Sequence, residues 1–163
     1  MDNELSFYKY YHQNPINKWI HFFCIPMIVL SFIIFFNDFY IVYEYYWFNG
    51  RYRKSSYKFK LINFILIGLI YYYFKLGFWI GILMTVYFYI QLNLAIVMIS
   101  CFSRKFLKKI VLIMFFSGWV LQFIGHYIEG KKPALLDSIS QAFFQAPLFS
   151  LEVIFPKMFV IKN

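Results

Sequence analysis

Four long apolar runs, separated by short polar or basic stretches, give the chain its main pattern. The first, "WIHFFCIPMIVLSFIIFF", follows Asn14-Pro15, a capping residue with proline at the first helical position. It predicts a helix over residues 16–36, with a kink at Pro26. "FKLINFILIGLIYYYF" and "GFWIGILMTVYFYIQLNLAIVMISCF" predict two more, over roughly 59–75 and 78–102, turning near Lys75 to Gly77. "IVLIMFFSGWVLQFIGH" predicts a fourth over 110–127. Spans of this kind need roughly 20 residues to cross a hydrocarbon core of ~30 Å. Residues 39–48, "FYIVYEYYWF", are too short to cross alone and read as an interfacial segment, with Tyr and Trp at headgroup depth. The tail, residues 136–158, reads as an amphipathic helix interrupted at Pro147, lying on the membrane or packed against the bundle. With no internal repeat and no linker, the expectation is one all-α, polytopic membrane domain. It has about four transmembrane helices and a C-terminal interfacial or packed helix.

Composition strengthens this reading. Hydrophobic residues make up 62% of the 163 and charged residues only 14%, against roughly 45–50% and about 25% in soluble domains. Aromatic residues reach 26%, but Phe, Tyr, Ile, Lys and Asn all have AT-rich codons, so an aromatic stripe is not by itself a binding surface. Net charge is +9. Arg51, Arg53, Lys54, Lys58 and Lys60 form one basic group, and Arg104, Lys105, Lys108 and Lys109 another. Each abuts an apolar run, which fits membrane topology and anionic headgroups rather than nucleic acid. Cys24 and Cys101 stand alone within apolar runs, with no CxxC pairing. The acidic, aromatic start "MDNELSFYKYY" does not read as a cleaved signal peptide.

Candidate chemistry concentrates in two stretches, "YYHQNPINKWIHFF" and "QFIGHYIEG", which hold all three histidines. If both basic loops lie on one side of the membrane, the start of the first span and the end of the fourth share the other. His12, His21 and His126 then meet at one boundary. Helical spacing places Asn17, His21 and Cys24 on one face of the first span, and Gln122, His126 and Glu129 on one face of the fourth. Ionisable groups at membrane depth normally face a bundle interior. Three imidazoles with a nearby carboxylate suit iron that activates oxygen, or zinc that activates water. Glu129 can instead orient a histidine through its other ring nitrogen. Spacing alone favours the plainer alternative, polar bonding between helices. Gly125 and Gly130 bracket His126, consistent with close backbone approach or a helix end. No phosphate-binding loop and no GxSxG elbow competes.

"YYHQNPINKWIHFFCIP" and "GWVLQFIGHYIEGKKPALLDSISQAFFQAPLFSLEVIF" resemble the signatures of the fungal 2-hydroxy fatty acid dioxygenases, a family formerly known only as a domain of unknown function. The resemblance covers about a third of the chain, with a weaker match at "LNLA", Leu92 to Ala95. It implies a multi-pass endoplasmic reticulum membrane protein that uses Fe(2+) and molecular oxygen. Its substrate would be a long-chain 2-hydroxy fatty acid, shortened by one carbon during phytosphingosine degradation. It places metal-binding histidines at His12, His21 and His126 and catalytic glutamates at Glu129 and Glu152; helical spacing, not the resemblance, adds Asn17 and Gln122 as supporting residues. Spacing departs by one residue both between His126 and Glu129 and between Pro147 and Glu152. The stretch Phe39 to Lys60 has no counterpart in the resemblance. The partners so implied are the fatty acid, oxygen and the lipid bilayer, with no nucleic acid. A zinc-dependent membrane hydrolase, a small lipid or ion transporter and a non-catalytic structural membrane protein are the alternatives.

Overall fold

The computed structural model describes residues 12–48, 52–133 and 139–156. Among these residues five helices carry the fold: α1 (Pro15–Phe36), α2 (Leu61–Leu76), α3 (Phe78–Cys101), α4 (Arg104–Glu129) and α5 (Ile139–Phe149). A 3₁₀ turn, Ser150–Val153, follows α5 directly. Between α1 and α2 the chain makes an antiparallel pair of strands, β1 (Tyr40–Phe48) and β2 (Tyr52–Lys60).

The helical architecture agrees with the hydropathy pattern, and α1, α3 and α4 are long and apolar enough to cross a membrane. α2 is apolar but has only 16 residues. At a rise of 1.5 Å per residue it reaches about 24 Å, short of a ~30 Å core. α4 begins within the second basic group, so Arg104, Lys105, Lys108 and Lys109 form its first turns rather than a loop. The hairpin is an addition to the expected helices. β1 is rich in Tyr, Ile, Val, Trp and Phe, residues that fit a pleated surface better than a helix, while β2 is largely basic and polar with Tyr52, Tyr57 and Phe59 among its residues.

α1 is the central element, packing most extensively on α4 and also touching α3, α5 and the 3₁₀ turn. Two glycines permit its close approach to α4. A Cβ at Gly118 would lie 2.7 Å from Ile28 Cγ1 and 3.4 Å from the Cys24 carbonyl oxygen, and one at Gly125 would collide with Asn17 Oδ1. Because Gly118 meets residues 24 and 28 while Gly125 meets residue 17, the two helices run antiparallel. The start of α1 and the end of α4 are thereby placed together.

The core forms around Ile33, Ile62, Tyr73, Met84 and Phe88, all nearly inaccessible. Leu148, Phe149 and Leu151 join it from the C-terminal segment, and Tyr73 Oη donates to the Phe144 carbonyl at 2.6 Å. The described part of the tail is therefore packed against the bundle rather than lying free of it. Pro147 falls inside α5, and its helix continues into the 3₁₀ turn. Residues 134–138 and 157–163 lie outside the described residues.

Candidate metal centre

The start of α1 is built by local chemistry. Asn14 is its N-cap, with Oδ1 accepting from Ile16 N–H at 2.9 Å, and Pro15 occupies the first helical position. His12 lies two residues before this cap and His21 on the second turn of the helix. His126 is supplied by the last turn of α4. That helix stops at Gly130 in the left-handed conformation (φ 72°), where Lys131 N–H closes back on the His126 carbonyl at 3.2 Å. This is a glycine-capped helix end with its orphan carbonyl satisfied.

These placements bring the three histidines together. One ring nitrogen from each lies within 4.8 Å of the others, and all three side chains are buried at 3–5% exposure. His12 Nε2 and His21 Nε2 are 3.2 Å apart. The His12 and His21 rings each stand edge-on to His126 with centroids 5.0 Å away. His21 Nδ1 donates to the Asn17 carbonyl at 3.0 Å, which leaves the Nε2 lone pair facing His12. Metal-binding histidines are commonly oriented by such a bond from the other ring nitrogen. His126 Nδ1 is buried without a hydrogen-bond partner.

On this donor chemistry the three residues fit a divalent metal. Two nitrogens about 2.0–2.1 Å from a shared ion and 3.2 Å apart, as the His12 and His21 Nε2 atoms are, would subtend roughly 100°, within the range of neighbouring ligands. Imidazole suits Fe, Zn, Cu and Ni alike. The three donors are neutral when they bind metal, so a divalent ion held by them keeps its positive charge. That charge would favour an anionic ligand at the remaining positions.

The carboxylates occupy other places. Neither Glu129 nor Glu152 belongs to the histidine group. Glu129, at the end of α4, accepts from Gln13 N–H at 2.9 Å, from Asn14 N–H at 2.8 and 3.0 Å, and from Asn17 Nδ2 at 3.2 Å. It therefore holds the segment that follows His12. Asn17, fully buried, links the centre: its amide nitrogen goes to Glu129, its carbonyl fixes His21, and its Oδ1 rests on Gly125 beside His126. Glu152 lies on the 3₁₀ turn, paired with Lys18 Nζ at 3.3 Å, and its Oε2 is buried without a partner. Gln122 is half-buried one turn before His126. Cys24 is buried one turn after His21, beside Gly118, and outside the group.

Two contributors escaped the sequence reading. Lys18 reads in the sequence as a lone charge near the start of α1, and its partner lies 134 residues away. Gly125 was read as a close approach, but nothing in the sequence said that Asn17 was the residue approached.

Residues 1–158 match the family described as "2-hydroxy-palmitic acid dioxygenase Mpo1-like". The chain is 29% identical over 150 residues to the 2-hydroxy-palmitic acid dioxygenase MPO1 of Saccharomyces cerevisiae, covering 90% of this chain and 75% of that protein. No solved structure matches.

Proposed function

The chain belongs to the Mpo1-like family of 2-hydroxy-palmitic acid dioxygenases, and from that premise we propose that it shortens long-chain 2-hydroxy fatty acids by one carbon. The metal is Fe(II), its protein ligands are His12, His21 and His126, and the oxidant is molecular oxygen. The reaction is one of fatty acid α-oxidation and serves sphingolipid breakdown at the endoplasmic reticulum membrane. The observation that carries the reading is the convergence of three buried imidazoles, two of them with Nε2 atoms 3.2 Å apart.

When bound, Fe(II) would supply oxygen activation and positions for the carboxylate and hydroxyl of a 2-hydroxy acid. The chain's residues do the rest. Asn17 holds the His21 ring so that Nε2 faces the centre. Glu129 keeps the His12 segment against α4. A neutral histidine set leaves the metal's charge to attract the substrate carboxylate. The acyl chain stays with the apolar helices, in the lipid from which it arrives. The chemistry balances without a further reductant: the 2-hydroxy acid and dioxygen give the shorter acid, carbon dioxide and water.

The test uses protein purified in detergent without oxygen and reloaded with Fe(II). 2-Hydroxypalmitate and air are added, and the acid shorter by one carbon is sought by mass spectrometry. Product that is lost with chelator and with His126→Ala supports the proposal. Folded, iron-loaded protein that turns over no 2-hydroxy acid of any chain length would sink it. Activity restored equally by zinc without oxygen would assign the site to hydrolysis instead.

A further inference from the structure

The β1–β2 hairpin differs from the helices in how little of it is covered. Tyr40, Ile41, Val42 and Tyr43 on one strand, with Tyr57 and Phe59 on the other, each leave close to half or more of their surface exposed. Its base is firmly tied. Leu61 N–H donates to the Phe39 carbonyl at 2.9 Å, and Lys60 Nζ donates to Asn37 Oδ1 at 2.8 Å. The hairpin thus grows from the point where α1 ends and α2 begins. A two-stranded ribbon is at best marginally stable in water, and its usual remedy is another surface to pack against.

The register indicates what kind of surface. Ile41 pairs with Phe59 and Tyr43 with Tyr57, so these four form an apolar, aromatic patch on one face beside the base of the hairpin. Tyr40 pairs with Lys60 and Val42 with Lys58, so the opposite face carries lysines. The two strands hold four basic residues, Arg53, Lys54, Lys58 and Lys60, against the single acid Glu44. Because α1 and α4 are antiparallel, the base of the hairpin and the start of α4 lie at the same end of the bundle. There Arg104, Lys105, Lys108 and Lys109 are exposed. The histidine group is at the other end.

We propose that the hairpin docks on the anionic lipid surface of the membrane that the apolar helices occupy. Its aromatic face, Ile41, Tyr43, Tyr57 and Phe59, rests at the boundary between acyl chains and headgroups. Lys58 lies among the lipid phosphates, and the basic first turns of α4 meet the same layer. A second copy of the chain is the weaker occupant. Pairing β2 with its own copy would set four basic residues against four, a repulsion that phosphates remove.

The test uses the full chain carrying Cys101→Ser, with buried Cys24 left in place, and an environment-sensitive fluorophore at Tyr43→Cys or Val42→Cys. Each protein goes into nanodiscs of phosphatidylcholine, with or without phosphatidylserine. Both substituted positions are exposed, and circular dichroism verifies that helix content is unchanged. With phosphatidylserine, the probe at position 43 should be several-fold better shielded from aqueous iodide than the probe at 42. It should also be quenched by lipids spin-labelled near the headgroup, and Lys58→Glu should weaken that shielding. Equal iodide access at 42 and 43 in both membranes would overturn the proposal. So would shielding at 43 that appears only when two chains share a disc, which would assign the face to a second copy. Shielding identical with and without phosphatidylserine, and indifferent to Lys58→Glu, would overturn the choice of an anionic surface.

Discussion

Glu129 accepts hydrogen bonds from the backbone N–H of Asn14 at 2.8 and 3.0 Å, although 115 residues separate them. The carboxylate closes the gap between the end of α4 and the cap of α1, and so it fixes where His12 can stand. Its role in this structure is to hold the segment that carries His12. Glu129→Ala should lower affinity for Fe(II), or for Co(II) as a spectroscopic stand-in, by about 10- to 100-fold, the usual cost of losing a support for metal ligands. Glu129→Gln keeps an acceptor oxygen and should fall between that variant and wild type. Co(II) titration followed by absorbance measures both. Unchanged affinity in both variants would show that His12 is placed without the carboxylate.

His126 offers a test with opposite signs for the metal-bound and metal-free protein. Its Nδ1 is buried without a partner, and such an orphan is costly where it cannot be hydrated. His126→Leu should therefore leave the metal-free protein at least as resistant to heat as wild type. Saturating metal should stabilise wild type by about 2.7 kcal/mol at a hundred times the dissociation constant, and this gain should vanish in the variant. Melting curves with and without metal read both effects. A large loss of stability in metal-free His126→Leu would instead identify the histidines as polar bonds between helices.

The α1–α4 seam predicts a graded glycine series. Gly125→Ala brings a methyl group against the buried Asn17 amide and should cost about 1–3 kcal/mol by overpacking. Gly118→Ala meets Ile28 Cγ1 and Cδ1, an apolar side chain that can shift, so a smaller loss is expected. Gly68→Ala meets nothing within 4 Å and should be neutral, or stabilising by up to about 1 kcal/mol. Thermal unfolding in one detergent ranks the three. An equal response at positions 125 and 68 would contradict the close approach.

Lys18 and Glu152 form a pair with side chains 28% and 10% exposed. Lys18→Met alone leaves a largely buried carboxylate without its cation and should destabilise by about 1–3 kcal/mol, below the 3–5 typical of fully buried pairs. Adding Glu152→Gln removes the stranded charge and should recover part of that loss. A double-mutant cycle measures the coupling. Strict additivity would mean that the contact contributes nothing to holding the 3₁₀ turn on α1.

The helical core was legible because its signal is local and repeated. A run of apolar residues behind Asn14-Pro15 announces a helix wherever it lies, and α1 starts at Pro15. The hairpin was less legible because residues 39–48 are almost uniformly aromatic and aliphatic, with Glu44 the single charge, so no alternation marks them as a strand. Asn49-Gly50, between an aromatic run and a basic stretch, is a hairpin signal in its own right, and the alternation in "YKFK", Tyr57 to Lys60, supports it. α2 shows a related limit: "FKLINFILIGLIYYYF" is apolar from Phe59, yet the strand β2 claims Phe59 and Lys60 and leaves the helix 16 residues long.

By itself, the sequence determined the helices, the membrane-grade composition and the presence of histidines at two helix ends, since each follows from neighbours within a few turns. Tertiary structure decided which atoms meet. It turned His21 with the Asn17 carbonyl, placed Gly125 against Asn17, and gave Glu129 to the N-cap of α1 rather than to the histidine group. It also joined Lys18 to Glu152. These outcomes depend on how closely two antiparallel helices approach and on the direction of each side chain. A hydrogen bond forms or fails over a few tenths of an ångström, and no pattern of residue types along a chain records distances of that size.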